Sequence, residues 1–435
     1  KYENPCSKSN QLKETMYFSF KLILLKHFYN ILTHIAGFHL NIIGLFNEKL
    51  KLGVKGRKAS FGLLESKLLD SDKTLWFHCA SLGEYEQGLP VFEQVKTMHP
   101  KHKVVLTFFS PSGYEVKKNT SIADVVVYLP LDTSSNSKRF LDIVNPELVI
   151  FVKYEIWPNY FLEVKKREIK AILISALFRK NQNFFKPSGQ WMQKALFAFN
   201  HIFVQNEASK QLLNTIGYND VTISGDTRFD RVSNQLTIDN TLNFIEIFKQ
   251  DHLCVVVGSS WPDDETLFIN FINEDSSDTK YIIAPHNIKS AQISNLKTKL
   301  KKSTILFSEK DTSELQQAKV FIIDTIGILS KIYSYADIAY VGGGLGTSGL
   351  HNTLEAAVFG VPIIIGNNYK KFPEASAMIG KQGMFSISNQ NELNTVLSDL
   401  LRNKDLRIKS GMQNSAYIKE NQGAVTKIMT YLNKS

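Results

Sequence analysis

The chain has 435 residues, of which 43% are hydrophobic and 21% charged. Because single hydrophobic cores stop growing well below this length, we expect two domains. The formal net charge of +10 predicts an anionic partner: a phosphate-rich substrate, an anionic membrane surface or nucleic acid. The sequence has no zinc-type cysteine–histidine spacing and no aromatic RNA-binding signature, so nucleic acid is not expected.

The cysteine content argues against a secreted, disulfide-stapled protein. Cys6, Cys79 and Cys254 are an odd number at unrelated spacings, and the last two lie in apolar runs typical of buried strands. No signal-peptide cleavage pattern is found. A reducing cytoplasm is therefore predicted.

The first segment of the chain is apolar and leads into a basic stretch. Phe28 to Phe46 is just long enough to cross a bilayer core, but its Asn and His residues make it a poor span. Between Lys49 and Lys58 five basic residues follow, as expected beside an anionic membrane. We predict a membrane-associating segment at residues 16–58 with this basic collar, after an extension at 1–15 that can be disordered. A helix packed on the protein itself is the alternative.

After residue 70, short apolar runs alternate with amphipathic stretches, as in parallel sheets covered by helices. In the first half, strands are predicted at Thr74–Cys79, Val104–Phe109, Val125–Tyr128, Leu148–Val152, Ala171–Ser175, His201–Val204 and Val221–Ile223. In the second half, strands are predicted at Leu253–Gly258, Tyr281–Ala284, Thr304–Phe307, Val320–Ile323, Ile338–Val341 and Pro362–Ile365.

The predicted fold class is α/β, with two Rossmann-like domains that face a central cleft and an N-terminal membrane-associated helix. The polar stretch near Ser233 to Asn243 predicts a linker at 233–250 between domains at 59–232 and 251–435, the second ending in helices. Ligands of such sheets bind at the carboxyl ends of the strands.

A glycine-rich loop follows the predicted strand that ends at Val341. Gly344, Gly346 and Gly349 have the spacing of a dinucleotide fingerprint, but no acidic residue ends the next strand to hold a ribose, so NAD is not expected. Glycines still let backbone amides approach a phosphate. We therefore predict a nucleotide phosphate site that includes Gly343, Gly344 and Gly346.

A helix is predicted to open near His351, directly after this loop. Asn352 can cap it, and Glu355, one turn in, can accept hydrogen bonds from ribose hydroxyls. The alternative for Glu355 is simple stabilisation of the helix N-terminus.

An acidic loop follows the first predicted strand. Ser81 is a candidate N-cap, Gly83 permits a tight turn, and Glu84 stands at the carboxyl end of the sheet. A carboxylate there can act as the general base of an inverting sugar transfer, because the attacking hydroxyl must lose its proton. Stabilisation of the helix N-terminus is an equal alternative.

Further polar and aromatic residues follow other predicted strands. Glu155 is a second acid, and Trp157 offers a flat surface for a sugar or acyl chain, though packing explains it as well. Cations suited to phosphates, or simply to the surface, are Arg179, Lys180, Arg228 and Arg231.

In the second half, Ser259 and Ser260 can bind a donor phosphate or cap a helix, and Pro285 and His286 can contact the base or phosphate. The sequence has no metal-ligand spacing, so neither a protein-bound metal nor a cofactor is predicted.

Together these segments resemble the Kdo (3-deoxy-D-manno-octulosonic acid) transferases, which have the glycosyltransferase-B architecture. The matching segments, in family order, are Ala80–Glu84, Glu155–Asn159, Gly225–Asp230, Gly258–Ser260, Ala284–His286 and His351–Glu355.

The resemblance implies an enzyme that transfers Kdo from CMP-Kdo to a lipid A precursor with inversion, in lipopolysaccharide biosynthesis. It makes Glu84 the base and places His351, Asn352 and Glu355 in the CMP site. The first domain would bind the acceptor and the second the donor. It also implies a protein anchored by its N-terminal segment to the cytoplasmic face of the bacterial inner membrane.

Two positions depart from the family pattern. Lys153 stands where the family has an acid, and the arginine of its Pro-Arg-His motif is missing, which leaves Pro285 and His286 adjacent. The alternatives are a nucleotide-sugar 2-epimerase of similar fold and a non-catalytic membrane-associated sugar-binding protein. The apolar segment with its basic collar argues against the first, and retention of Glu84 and Glu355 against the second.

Overall fold

The computed structural model describes residues 5–434 except 187–188 and 311–312, and describes side chains from residue 24 onward. The chain divides into two compact units. The first contains Lys1–Thr227 together with Gly423–Ser435, and the second contains Arg228–Gln422.

The first unit is built on a seven-stranded sheet whose paired strands are all parallel, in the order β3-β2-β1-β4-β5-β6-β7. The strands are β1 Thr74–Cys79, β2 Lys103–Phe108, β3 Val125–Tyr128, β4 Pro146–Val152, β5 Lys170–Ala176, β6 His201–Val204 and β7 Val221–Ile223. Every residue of β1 is buried, as expected for a parallel strand covered on both faces.

Helices precede this sheet, connect its strands and follow its last strand, where α9 leads into the second unit. They are α1 Pro5–Ile43, α2 Glu48–Lys67, α3 Leu82–Met98, α4 Pro111–Lys117, α5 Ser134–Val144, α6 Pro158–Lys166, α7 Gln190–Leu196, α8 Glu207–Thr215 and α9 Thr227–Asn234. Helix α3 packs on the sheet through Phe92, whose ring stacks on Phe77 of β1 at 4.3 Å between centroids.

The second unit repeats the architecture with the strand order β10-β11-β9-β8-β12-β13-β14, again with parallel pairs. The strands are β8 Cys254–Ser260, β9 Lys280–Pro285, β10 Thr304–Leu306, β11 Val320–Ile322, β12 Ile338–Val341, β13 Ile363–Gly366 and β14 Met384–Ile387. The remaining helices are α10 Asn243–Lys249, α11 Pro262–Glu274, α12 Ser290–Lys299, α13 Leu329–Ile332, α14 Leu354–Ala357, α15 Pro373–Gly380, α16 Gln390–Arg402, α17 Lys404–Glu420 and α18 Ala424–Lys434.

The α/β class with two parallel sheets is confirmed. The predicted strands match the observed ones to within one or two residues at each end, and the structure adds β14. The sequence Met384–Ile387 is too short and too mixed to stand out as an apolar run.

The domain boundaries differ from the predicted ones. The division falls after Thr227, inside α9, and part of the predicted linker at 233–250 forms α10. Helix α18 belongs to the first unit, because Val425 and Ile428 join the apolar cluster around β1 and α3. Composition cannot reveal a terminal helix that returns to the first sheet, since its apolar face would fit either one.

Helix α1 begins at Pro5, so residues 5–15 are helical rather than an irregular extension, and residues 1–4 lie outside the described part. Within the described residues, we find no helix that combines the length and apolarity needed to cross a membrane. One face of α1 packs on the first unit. The Tyr29 hydroxyl donates to Asp132 at 2.8 Å, and Asn159 donates to the Asn30 side chain at 2.9 Å.

Candidate active site

The first unit places two acids at one edge of its sheet. Strands β1 and β4 are parallel neighbours, so the segments that follow them, which carry Glu84 and Glu155, leave the same edge. Glu84 lies in the first turn of α3 and is only 6% exposed. The side chain of Glu155 is 25% exposed.

The environment of Glu84 favours its neutral form more than water does. Burial and the nearby charge of Glu155 raise the pKa of Glu84 to about 7. Backbone hydrogen bonds from Ala80 and Ser81, and the charge of Lys153, act in the opposite direction. A carboxyl group with this pKa exchanges protons readily near neutral pH, which suits a general base.

The hydrogen bond from Ala80 also bears on the alternative role of Glu84. The carboxylate accepts from the backbone N–H of Ala80, just before the helix, so it does stabilise the start of α3. Its raised pKa shows that the position is unfavourable for the charge overall. Stabilisation of the helix start alone does not explain why Glu84 lies next to a second acid, Glu155.

Of two predicted details of this loop, the tight turn at Gly83 is wrong and the N-cap position of Ser81 is confirmed. Gly83 does not form a tight turn: it is the second residue of α3 and lacks a left-handed backbone. Ser81 occupies the N-cap, but its side chain makes no capping hydrogen bond.

Sequence reasoning missed His78, which lies on β1 and is fully buried. Its Nδ1 contacts the Thr107 hydroxyl at 2.8 Å, and its Nε2 lies 3.8 Å from a carboxylate oxygen of Glu155. Burial lowers the pKa of His78 despite that carboxylate. A polar residue inside a fully buried strand was the available signal.

Arg57 was predicted to belong to the basic collar, and this is wrong. Its guanidinium donates to the carbonyl of Phe109 at 2.6 Å and lies 4.4 Å from the centre of the Phe109 ring. Trp157 also packs on Phe109, with 4.8 Å between the two ring centroids. Within the described residues, the buried Nε1 of Trp157 has no hydrogen-bond partner. Trp157 therefore packs on an aromatic neighbour, which agrees with the packing alternative, and its indole N–H remains available as a hydrogen-bond donor.

The recorded backbone contact of Arg179 is with Gln182 and not with Arg57, Phe109 or Trp157. It is exposed on the loop after β5, where its backbone N–H bonds to Gln182. Of the other predicted cations, Arg228 pairs with Glu374 at 3.0 Å in the second unit.

The second unit gathers its predicted residues after β8, β9 and β12. Ser259 has a left-handed backbone (φ 52°) at a register shift between β8 and β9, a conformation that residues other than glycine adopt only under constraint. Ser260 is buried and donates to Glu265 at 3.2 Å. The buried Pro285 ends β9, and the backbone N–H of the adjacent His286 donates to the carbonyl of Ser260 at 2.9 Å.

Close packing, on backbone at Gly343 and on a side chain at Gly258, explains two glycines of this unit. Gly343 has φ +89°, and a Cβ there would lie 2.2 Å from the carbonyl oxygen of Gly349. A Cβ on Gly258 would lie 1.9 Å from the Tyr333 hydroxyl. Gly344 packs on Gly366, and Gly346 lies near the Asp263 carboxylate, which opposes an anion at that point.

The helix after the glycine loop starts later than predicted. Helix α14 begins at Leu354 and has four residues, so His351 precedes it. The Asn352 side chain accepts from the backbone N–H of Leu354 at 3.2 Å and donates to Glu355 at 3.0 Å. The second oxygen of Glu355 accepts from Ser330 at 3.0 Å. Two donors thus fix the carboxylate, which also lines a small cavity with Arg231 and Val232.

Comparison with known proteins agrees with these motifs. Residues 55–231 match the family model for 3-deoxy-D-manno-octulosonic-acid transferase (kdotransferase). A 3-deoxy-D-manno-octulosonic acid transferase of Haemophilus influenzae is 26% identical over 90% of this chain and 93% of its own. That of Aquifex aeolicus is 28% identical over 77% and 88%. The chain is related to the Kdo transferases.

Solved structures of similar fold support the two-sheet architecture of this chain. A UDP-GlcNAc 2-epimerase from Neisseria meningitidis has a TM-score of 0.58 at 16% identity and covers 83% of this chain and all of its own. MurG from Acinetobacter baumannii has a TM-score of 0.52 at 10% identity, over 84% and 100%. At such identities the likeness concerns the fold alone, so the epimerase match does not favour epimerisation.

Proposed function

We propose that this protein transfers Kdo from CMP-Kdo to a lipid A precursor with inversion at the anomeric carbon, in lipopolysaccharide biosynthesis. The observation that carries the proposal is the carboxyl group of Glu84, which lies beside Glu155 at the edge of the first sheet with a pKa raised to about 7. Similarity to named 3-deoxy-D-manno-octulosonic acid transferases over most of the chain supports Kdo as the sugar that is transferred.

The proposed step needs one proton acceptor. An acceptor hydroxyl oxygen attacks the anomeric carbon of Kdo, the bond from that carbon to the CMP phosphate breaks, and Glu84 takes the hydroxyl proton. CMP leaves with the bonding electron pair. Burial and then the charge of Glu155 keep Glu84 basic enough for this role, because both raise its pKa.

We assign donor binding to the second unit. Glu355 is held by Asn352 and Ser330, so both of its oxygens are oriented before a ligand arrives. A carboxylate fixed in this way suits two ribose hydroxyls. The proposal includes no protein-bound metal, and unchanged transfer in the presence of a chelator would be the expected outcome.

We propose that the protein works at an anionic membrane surface through α1. The outward residues Leu24, Phe28, Ile31, Ile35, Phe38 and Ile42 are each more than 40% exposed. Their spacing of four and three residues puts them on one face. Exposed lysines at 49, 51, 55 and 58 follow in α2, and those at 51, 55 and 58 line a cavity together with Ile42 at the end of that face. An apolar stripe beside lysines is typical of a helix that lies in the membrane interface, and this proposal places the protein on the cytoplasmic side of the inner membrane.

The test is a transfer assay on intact lipid. Purified protein is mixed with CMP-Kdo and a lipid A precursor, and the lipid is weighed by mass spectrometry while CMP release is followed. The proposal predicts a lipid heavier by Kdo, with CMP formed in equal amount. Epimerisation of a UDP-sugar in a parallel reaction, with no Kdo-lipid, would contradict it and favour the epimerase alternative.

A further inference from the structure

Three aromatic rings meet where β8, β9 and the glycine loop end. Trp261 follows β8, His286 follows β9, and His351 ends the loop after β12. The rings of Trp261 and His286 stack at 4.6 Å with 19° between their planes, and those of His286 and His351 lie 4.5 Å apart. All three belong to the second unit.

The indole of Trp261 makes a directed contact with one of these histidines. Its Nε1–H donates to Nε2 of His351 at 3.0 Å. An indole nitrogen can only donate, so the Nε2 atom that accepts carries no proton. A neutral imidazole has a single N–H, which must then reside on Nδ1.

The position of Trp261 is itself fixed. Its backbone N–H donates to Asp264 at 2.9 Å, and the same carboxylate oxygen accepts from the backbone N–H of Gly343 at 3.0 Å. The His351 backbone N–H donates to the Gly342 carbonyl at 3.1 Å. A Cβ on Gly343 would lie 3.1 Å from Cδ2 of His351, so the loop passes directly beside the imidazole ring. The indole that donates this hydrogen bond and the imidazole that accepts it are therefore held by one connected network of backbone hydrogen bonds.

We propose that Trp261 is a positioning residue that holds His351 in its neutral Nδ1–H tautomer, so that His351 serves the donor site as a neutral hydrogen-bond donor for an anionic or carbonyl oxygen of the nucleotide. This inference rests on the proposed donor site. Among the described residues, no partner of Nδ1 is recorded, which leaves that N–H for a ligand.

The electrostatics of the ring agree with a neutral role. Burial, and then the neighbouring His286, lower the pKa of His351 to about 4. Near neutral pH the ring therefore carries no charge. His351 contributes a directed hydrogen bond to nucleotide recognition rather than a cation.

The test is nitrogen NMR of the full chain labelled with ¹⁵N-histidine, with the His351 signals assigned by their loss in His351→Gln. In the wild type without nucleotide, we expect a protonated Nδ1 and an unprotonated Nε2. Trp261→Phe keeps an aromatic ring but removes the hydrogen-bond donor, so the signal should move toward the Nε2–H tautomer that a solvent-exposed histidine side chain prefers. Trp191→Phe, a buried tryptophan of the first unit, should leave it unchanged.

A CMP titration provides the second measurement. Trp261→Phe should weaken CMP binding by about three- to tenfold, the effect of one misdirected hydrogen bond. An Nε2–H signal in the wild type, or an unchanged tautomer in a folded Trp261→Phe, would overturn the proposal. The tautomer of His351 is measured without nucleotide, so a wrong tautomer would overturn this inference alone. Failure of the proposed donor site would instead appear as no CMP binding by the wild type.

Discussion

Asp264 accepts a hydrogen bond from the backbone N–H of Gly343 at 3.0 Å. The carboxylate also accepts from the backbone of Trp261 at 2.9 Å and from the Tyr340 hydroxyl at 2.5 Å, and it is almost fully buried. One side chain at the start of α11 thus joins the glycine loop to the neighbouring strand end. The sequence pattern did not single it out.

Replacing Asp264 should therefore destabilise the second unit. Asp264→Ala leaves three donors without their acceptor, and we expect a loss of about 3 kcal/mol or more in the free energy of unfolding, measured by urea denaturation. Asp263→Ala is the matched control. Asp263 is adjacent in sequence but exposed, so its replacement should change the free energy of unfolding by only about 0.5 kcal/mol. Equal losses in the two variants would show that Asp264 does not tie the loop.

The pairing of the two acids predicts a pH effect on catalysis. Glu84 works as a base when deprotonated, so the rate should rise with pH through an apparent pKa near 7. Burial is the larger cause of the raised pKa and stays in Glu155→Gln, but this variant removes the charge that adds to it, so the rising limb of the pH–rate profile should move to lower pH. The exposed Glu93→Gln on the same helix should leave the limb in place. A limb that does not move in Glu155→Gln would rule out the coupling.

The same shift predicts an effect on stability. The folded-state pKa of Glu84, about 7, exceeds the ordinary value of 4.5, so its contribution to stability is complete below pH 4.5 and is lost as the pH rises through 7. Glu84→Gln stays neutral throughout. Its melting temperature should therefore exceed that of the wild type at pH 8 by about 5 °C, and by much less at pH 5. A difference that does not grow with pH, measured by scanning calorimetry, would refute the raised pKa.

The exposed face of α1 predicts reversible membrane binding. Ile35→Glu should reduce binding to vesicles rich in phosphatidylglycerol by about tenfold or more, because it puts a charge into the apolar stripe. Ile408→Glu, an equally exposed isoleucine in the second unit, should bind as the wild type does. Equal binding by both variants in a co-sedimentation assay would exclude α1 as the membrane contact.

Local patterns predicted the fold well because buried parallel strands are short apolar runs that can be read directly from the sequence, as in Ile363–Gly366. The motif residues also fell where predicted, at strand ends. Contacts between distant segments were not readable. Arg57 turns toward Phe109, 52 positions away, and α18 returns to the first sheet, because each depends on the whole fold rather than on neighbours in sequence.

Turn geometry was the other limit. The fingerprint spacing after Val341 suggested a helix near His351, yet the helix begins at Leu354 and lasts one turn. The loop is instead held by Asp264 and by packing of Gly344 on Gly366. Several backbone paths fit one glycine pattern, so spacing alone does not choose among them.

The most direct measurement compares Kdo transfer by the wild type, Glu84→Gln and Glu93→Gln on intact lipid acceptor, with CMP affinity measured for each. We predict equal rates for the wild type and Glu93→Gln, and a rate lower by about 100-fold or more for Glu84→Gln at unchanged CMP affinity. A near-normal rate in Glu84→Gln, or no Kdo-lipid from wild-type protein saturated with CMP-Kdo, would contradict the account.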